Sequence, residues 1–558
     1  MVKRVIQMMY KEVRGLHQAA YILAMFAFGS QLLALVRDRM LAHQFGAGVE
    51  LDIYYAAFRI PDLLYVLFAS TLSVYVLIPF VVSRINKEDA SEAKALLGQV
   101  FTLFLIFYTV LAAIVWLIAP YVVPILFPGM SEHGDQVVML LRILLLQPLF
   151  LGVSSLFGVI TQIGHRFVLY AISPLIYNVG IIVGITFLYP IFGLSGLAYG
   201  VVFGALGHML VQLPLVRSSS LSFWMVMKFD WKLILEVLKV SVPRAITLAM
   251  QQVVLLVLVS IASLMTVGSV AVFQFAFNLQ SVPLAVIGAS YSIAAFPLLA
   301  DLYAQKKMDA FRIHIISALR HIIFWSVPVI GLIIVLRAQM VRVVLGSGAF
   351  DWGDTRLTAA VLALLCISLF AQAINLLMVR VFYAGGFTRI PFFVTMFGSV
   401  TAIVFTIVLY KGYVASEATQ TAVETLMRIG EVPGSEVLTL AFGYSVAIIL
   451  QTTVLLILAV RKFGLPTNWI LTHAFHSILA ATVGGFSAYS ALNFFIFGIN
   501  EDTFIGIFLQ GFMGGVAGIV GVVSTYYILK SPELREIRKS LHARRKKIKI
   551  IASPDEII

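Results

Sequence analysis

Apolar residues fall in long blocks along this chain and do not alternate with polar ones. Fourteen blocks of at least about 18 residues lie near 16–36, 53–83, 96–126, 137–162, 168–189, 192–216, 235–265, 269–300, 312–336, 357–383, 390–410, 437–460, 469–497 and 503–529. A helix rising about 1.5 Å per residue crosses a hydrocarbon core of roughly 30 Å in such a length. The pattern therefore predicts an all-α polytopic membrane protein with fourteen transmembrane helices. Several blocks exceed one crossing, which predicts tilted or kinked helices. Pro61 and Pro79 in the second block, and Pro283 and Pro297 in the eighth, predict bends. Such bends serve either static packing or a moving part.

The second half of the chain repeats the first at an offset near 218 residues. Segment 56–80 matches 274–298, pairing Ala57-Phe58 with Ala276-Phe277 and Pro79 with Pro297, and 119–129 matches 338–348. Blocks 1–6 and 7–12 thus read as two copies of one six-helix unit. An even number of crossings gives both copies the same orientation, related by an axis along the membrane normal, with substrate sites between them. The expected domains are an amphipathic N-terminus at 1–15, a first lobe at 16–217, a second lobe at 218–465, two added helices at 466–529 and a basic tail at 530–558.

Composition agrees with a membrane chain: 61% of residues are hydrophobic and 12% charged, against about one-quarter charged in soluble domains. The single cysteine, Cys366, excludes an intrachain disulfide and sits in an apolar run. The ten histidines show no metal-ligand spacing, and no Walker A motif is present. No metal, cofactor or catalytic activity is expected. The net charge of +13 does not point to nucleic acid, because the Lys and Arg residues collect in alternate loops. They place both termini on the cytoplasmic side. The first block lacks a small-residue cleavage site after it and reads as a retained helix. The ARRKKIK cluster of the tail is either a solvated segment or a contact for anionic headgroups. Segment 411–436 is expected to carry a short surface helix. Nothing demands more than a monomer.

Charges inside the apolar blocks carry the candidate chemistry. Between Gly29 and Pro79 lie Arg37, Asp38, Arg39, Asp52, Arg59 and Asp62. Each costs about 2.5–3.5 kcal/mol at the bilayer centre on insertion scales. They either face a watery cavity, a partner charge or a charged ligand, or, as for Arg39, snorkel to the interface. Arg142 and Arg244 read as interfacial, and Arg380 as either. The second copy replaces Arg59 by Asn278 and Asp62 by Ser281, so the first copy is the more charged.

The stretch VRDRMLAHQFGAGVELDIYYAAFRIPDLLYVLFA, with APYVVPILFPG, LFGVITQIGHRF, SPLIYNVGII, LVQLP and FYAGGFTRIP, resembles the MurJ/MviN family of the MOP exporter superfamily. The resemblance covers about 16–465, and the helix count extends it. It implies a two-lobe, MATE-like transporter with a cationic central cavity, moving the undecaprenyl-pyrophosphate-linked peptidoglycan precursor across the bacterial inner membrane by alternating access. It implies that Arg37, Asp38, Asp52 and Arg59 form the pyrophosphate site, and that helices 13 and 14 provide a groove for the lipid tail. Arginine suits that headgroup because it holds phosphate oxygens bidentately and stays charged. Gln31 and Asn278 stand where family members carry arginines, Ser281 where they carry a glutamate, Tyr65 and Val66 where they carry basic residues, and Leu258 where some carry an acidic one. With Arg380, Gln31 and Asn278 are secondary cavity candidates. Two other functions stay open: export of another polyprenyl-linked glycan or amphiphile, and a non-transporting scaffold or regulator of the same fold.

Overall fold

The computed structural model describes residues 16–72, 74–85, 90–430, 432–495 and 503–538. The expected amphipathic segment at 1–15 and the ARRKKIK cluster lie outside the described residues. Those described form helices and connecting turns, with no strand. The first stretch runs through α1 (Leu16–Phe45), α2 (Val49–Thr71), α3 (Val74–Val82), α4 (Ser91–Leu126), α5 (Gly134–Leu144), α6 (Leu146–Ile163), α7 (Phe167–Val183), α8 (Leu194–Leu210) and α9 (Leu213–Ser218). The chain continues through α10 (Trp231–Ala262), α11 (Ser269–Leu284), α12 (Ser290–Ala304), α13 (Met308–Val344), α14 (Trp352–Ile367), α15 (Leu369–Ala384), α16 (Arg389–Val414), α17 (Glu417–Met427), α18 (Leu438–Phe463), α19 (Ile470–Phe495) and α20 (Phe504–Ile528).

Eleven spans among the described residues are long and apolar enough to cross a membrane, and α14 with α15 make a twelfth if the pair counts as one. The two remaining blocks are helical as well. They are α1 and the α2–α3 pair, the two that hold the deep charges of the first copy. The exposed surface is rich in Phe, Leu, Ile and Val, as a lipid-facing surface requires.

Interruptions fall where backbone groups find other partners. The second block breaks at Leu72, in the ASTLS stretch, and helix continues through both Pro61 and Pro79. The eighth block carries a wide π-turn at Ala285–Ala289, two residues after Pro283. The α14–α15 pair bends by 43° at Ser368. Its freed carbonyls are captured: Ser445 Oγ donates to Leu364 O at 2.9 Å and Gln280 Nε2 to Leu365 O at 2.9 Å. That is the condition for broken helix inside a membrane. The surface helix expected in 411–436 is α17, capped by Ser416 Oγ, which accepts from Thr419 N.

Packing divides the chain into two compact units. The first comprises 1–275, 344–358 and 395–443, and the second 276–343, 359–394 and 444–558. In the first, α2 packs along α10, and α1 along α7. Helix α7 meets α8 almost backbone to backbone: a Cβ on Gly180 would lie 2.2 Å from Gly204 Cα. In the second, the core joins α12, α13, α15 and α18 around Phe311, Ile322, Leu377 and Phe382. There a short helix at 532–538 packs its Leu534 and Ile537 beside Phe324, Ala480 and Tyr526.

Candidate functional site

Arg37 and Asp38 sit on α1, two turns before its end. Asp38 is buried, and the Arg37 side chain is 20% exposed. Arg37 Nε and Nη2 both donate to Asp38 Oδ1, at 2.9 and 2.7 Å. Nη1 donates to Asn178 Oδ1 on α7 at 3.2 Å. Asn178 Nδ2 in turn donates to Ser30 Oγ on α1 and to Pro174 O. Proline at 174 and the close α7–α8 contact fix the backbone from which Asn178 projects. Arg37 is thus aimed by its neighbours, with its side chain part-exposed.

Asp52, Tyr55 and Arg59 occupy one stripe of α2, at helical spacing. All three are buried. The stripe faces the start of α11 and the turn before it. Asp52 Oδ2 accepts from Gly268 N at 2.6 Å and Oδ1 from Ala271 N at 2.8 Å. The Tyr55 ring meets Phe275 edge to face at 6.0 Å. Arg59 Nε donates to Tyr55 O at 3.1 Å, and Nη2 to Gln274 Oε1 at 2.7 Å. Asp62, a turn further on, lies within electrostatic reach of Arg59 and beside Gln147. The site therefore alternates two arginines with carboxylates and amides.

The chain end of this site is closed by turns packed on turns. Ala349 N donates to His43 O at 2.9 Å, and Ala47 N to Asp354 Oδ2 at 3.1 Å. Arg39 Nη1 donates to Val344 O at 3.3 Å. Glu436 accepts from Thr266 N and Thr266 Oγ1 at 2.7 and 2.6 Å. Gly268 has φ +93°, and a Cβ there would lie 2.0 Å from Ala47 O. Only glycine fits that crossing.

The other expected residues are dispersed. Gln31 is half-buried on α1. Asn278 on α11 and Arg380 on α15 are half-buried in the second unit, where Asn278 O accepts from Ser281 Oγ at 2.6 Å. Arg142 donates to Trp116 O at 3.1 Å, its guanidinium 4.2 Å from the Trp116 ring centre. Sequence reasoning passed over Asn178 and Gln274. Both are amides in apolar blocks, and that was the available signal: an amide taken out of water needs partners.

Chemically, the arrangement offers guanidinium donors whose present acceptors are a neighbouring carboxylate, amide oxygens and a backbone carbonyl. An anion with several oxygens could replace those acceptors through charge-assisted, bidentate hydrogen bonds. Among the described residues no group of three or more His, Cys, Asp or Glu is arranged to hold a metal ion.

Comparison with known proteins places the chain among transporters of one fold. The model of the family described as "Lipid II flippase MurJ" matches residues 41–506. A probable lipid II flippase MurJ of Rickettsia prowazekii is 25% identical over 388 residues, covering 68% of this chain and 76% of that protein. Among solved structures, a lipid II flippase MurJ in an inward closed conformation superposes with a TM-score of 0.72 at 20% identity, covering 91% of this chain and 99% of that one. An inward-facing MATE family transporter of the MOP superfamily gives 0.63 at 15% identity, covering 78% and 94%.

Proposed function

The chain belongs to the lipid II flippase MurJ family, and on that footing we propose that it carries lipid II from the inner to the outer leaflet by alternating access. The cargo is then an undecaprenyl-pyrophosphate-linked peptidoglycan precursor, and the role is in building the cell wall. The protein acts as a transporter and not as an enzyme, as a monomer in the bacterial inner membrane with both termini in the cytoplasm.

One observation carries the assignment to this site. Two arginines lie on helices of the first two apolar blocks, and each is held by acceptors that a pyrophosphate can outcompete. Arg37 is the part-exposed group that meets the anion first, and Arg59 is the buried group that completes the grip. Asp38 and Asp52 hold partners in the unloaded state and release them in turn. The lipid tail follows an apolar groove of about 490 Å³ between α13 and α19, lined by Gly331, Ile334, Ala481, Gly485, Phe486 and Tyr489.

Complementation tests the proposal. Cells depleted of their own lipid II flippase should regain growth when this chain is expressed, and should lose it again with Arg37→Ala. A chain that inserts normally and fails to rescue would overturn lipid II as the cargo. Asn278 and Ser281, uncharged where the family resemblance expects arginine and glutamate, favour a second reading with another polyprenyl-linked glycan. Rescue by the wild-type chain decides against it.

A further inference from the structure

The link between α9 and α10 is an irregular strap with a repeating burial pattern. Residues 222–230 adopt no regular secondary structure. Every third residue, Phe223, Val226 and Phe229, is half-buried, and the two between are exposed. This is the three-residue period of an extended chain lying on a surface. The inward residues are seated. Phe223 meets Phe101 at 5.3 Å and Phe157 at 6.1 Å between ring centres. Val226 lies over Gly98 so closely that a Cβ there would be 2.7 Å from Val226 Cγ2 and 2.8 Å from Trp224 O.

The backbone is also tied down. Val226 N donates to Thr102 Oγ1 at 2.9 Å, and Asp230 N to Gln99 Oε1 at 2.9 Å. Both acceptors are on α4 and buried. Asp230 Oδ1 accepts from Lys232 N and Leu233 N, which caps α10. The strap is a fixed element.

Its outward face is large and apolar: Trp224 is 77% exposed, Met227 79% and Trp231 57%. Lys228 and Lys232 are exposed among them. The depth is set by α4. Gly98, where the strap crosses, is seven residues past Ser91, the first of the helix, or roughly 10 Å along its axis. Beyond Gly98 the helix reads QVFTLFLIFYTVL. The exposed tryptophans therefore sit where polar helix end gives way to hydrocarbon-length apolar helix. Tryptophan is enriched at that level, and nearby lysines answer anionic headgroups.

We propose that the 222–232 strap is an interfacial anchor, seating Trp224, Met227 and Trp231 at the headgroup–acyl boundary and setting Lys228 and Lys232 against anionic phospholipid headgroups. The covalent link between the first six-helix segment and the rest of the chain is thereby held on the bilayer surface. The single cysteine, Cys366, is buried, so Cys366→Ala gives a clean background for labelling.

The full-length protein is reconstituted, with no other protein present, in vesicles of phosphatidylethanolamine and phosphatidylglycerol. Spin labels are placed at Met227→Cys and, as a reference, at Thr421→Cys on α17. The Met227 label should be several-fold more accessible to oxygen relative to a water-soluble nickel chelate than the Thr421 label is. Equal exposure to the chelate at both positions would leave the stripe to a protein partner and overturn the lipid assignment. Replacing phosphatidylglycerol with phosphatidylcholine should shift the Met227 label toward water, and Lys228→Gln with Lys232→Gln should abolish that shift. A label depth identical in both lipids in the wild-type background would overturn the headgroup contact.

Discussion

Asp52 and Gly268 are joined by a 2.6 Å hydrogen bond from the glycine amide to the carboxylate, although 216 residues separate them. The second carboxylate oxygen takes Ala271 N. The aspartate thus caps the start of α11 from another helix, satisfying amides that have no intrahelical acceptor. Asp52→Ala should lower stability by about 1–2 kcal/mol, the usual loss for a cap, read as a drop in melting temperature in detergent. Asp52→Asn keeps one acceptor and should fall between. If both variants melt like wild type, the cap is not holding α11.

The two arginines should respond differently to lysine. Lysine keeps the charge and loses the fork. At Arg37 the main partner is the Asp38 carboxylate and the side chain is part-exposed, so an ammonium keeps the charge pair; Arg37→Lys should give partial rescue in the depletion assay and Arg37→Ala none. At Arg59 the nitrogens bridge Tyr55 O and Gln274, and a lysine cannot make both bonds from one point. Arg59→Lys should therefore rescue no better than Arg59→Ala. Equal, full rescue by all four would remove both residues from the site.

Asn178 supports Arg37 without being charged. Asn178→Leu removes the Ser30–Asn178–Arg37 chain and leaves a guanidinium donor short of an acceptor, costing about 1–3 kcal/mol. Transport should fall at unchanged expression. Asn178→Asp keeps an acceptor for Arg37 and should retain more activity than the leucine variant; the reverse order would show that Asn178 acts only in packing.

Glu533 in the second unit gives a pH signature. Burial raises its carboxyl pKa, but hydrogen bonds from Ser531 and Arg320 outweigh that and leave it below the ordinary range. Arg320 Nη2 lies 2.6 Å away and His473 Nε2 3.1 Å. A carboxyl lowered on folding adds stability above its unfolded pKa, near 4.3 for glutamate, and loses it as pH falls through the folded value. The wild-type melting temperature should exceed that of Glu533→Gln at pH 7, and the gap should close below about pH 4. A gap that persists unchanged at low pH would sink the assignment.

Much of the fold was legible because bilayer length is a coarse filter. Among the described residues, each of the fourteen apolar blocks is mainly helix. The second block is interrupted at Leu72, which no proline marks, while helix continues through Pro61 and Pro79. Proline marks where a hydrogen bond is lost, but the surroundings decide whether helix continues. Arg37, Asp38, Asp52 and Arg59 were visible as charges out of place. Their partners were not. Asp52 binds backbone amides, which carry no residue signature, and Asn178 and Gln274 gain their roles only when α7 and α11 are brought alongside. Asp354 supplies the same service to Ala47 N that Asp52 supplies to Gly268 N, yet the two aspartates are not equivalent in the repeat. Their likeness is one of task alone.

The bend at Ser368 has a mechanical consequence. Leu364 O and Leu365 O are gripped by Ser445 on α18 and Gln280 on α11, and Gln372 Nε2 donates to Ser368 Oγ at 2.9 Å. Straightening α14 and α15 would strip acceptors from two other helices at once. The elbow therefore behaves as a welded joint. A force applied to α15 is passed on to α11 and α18 through those bonds.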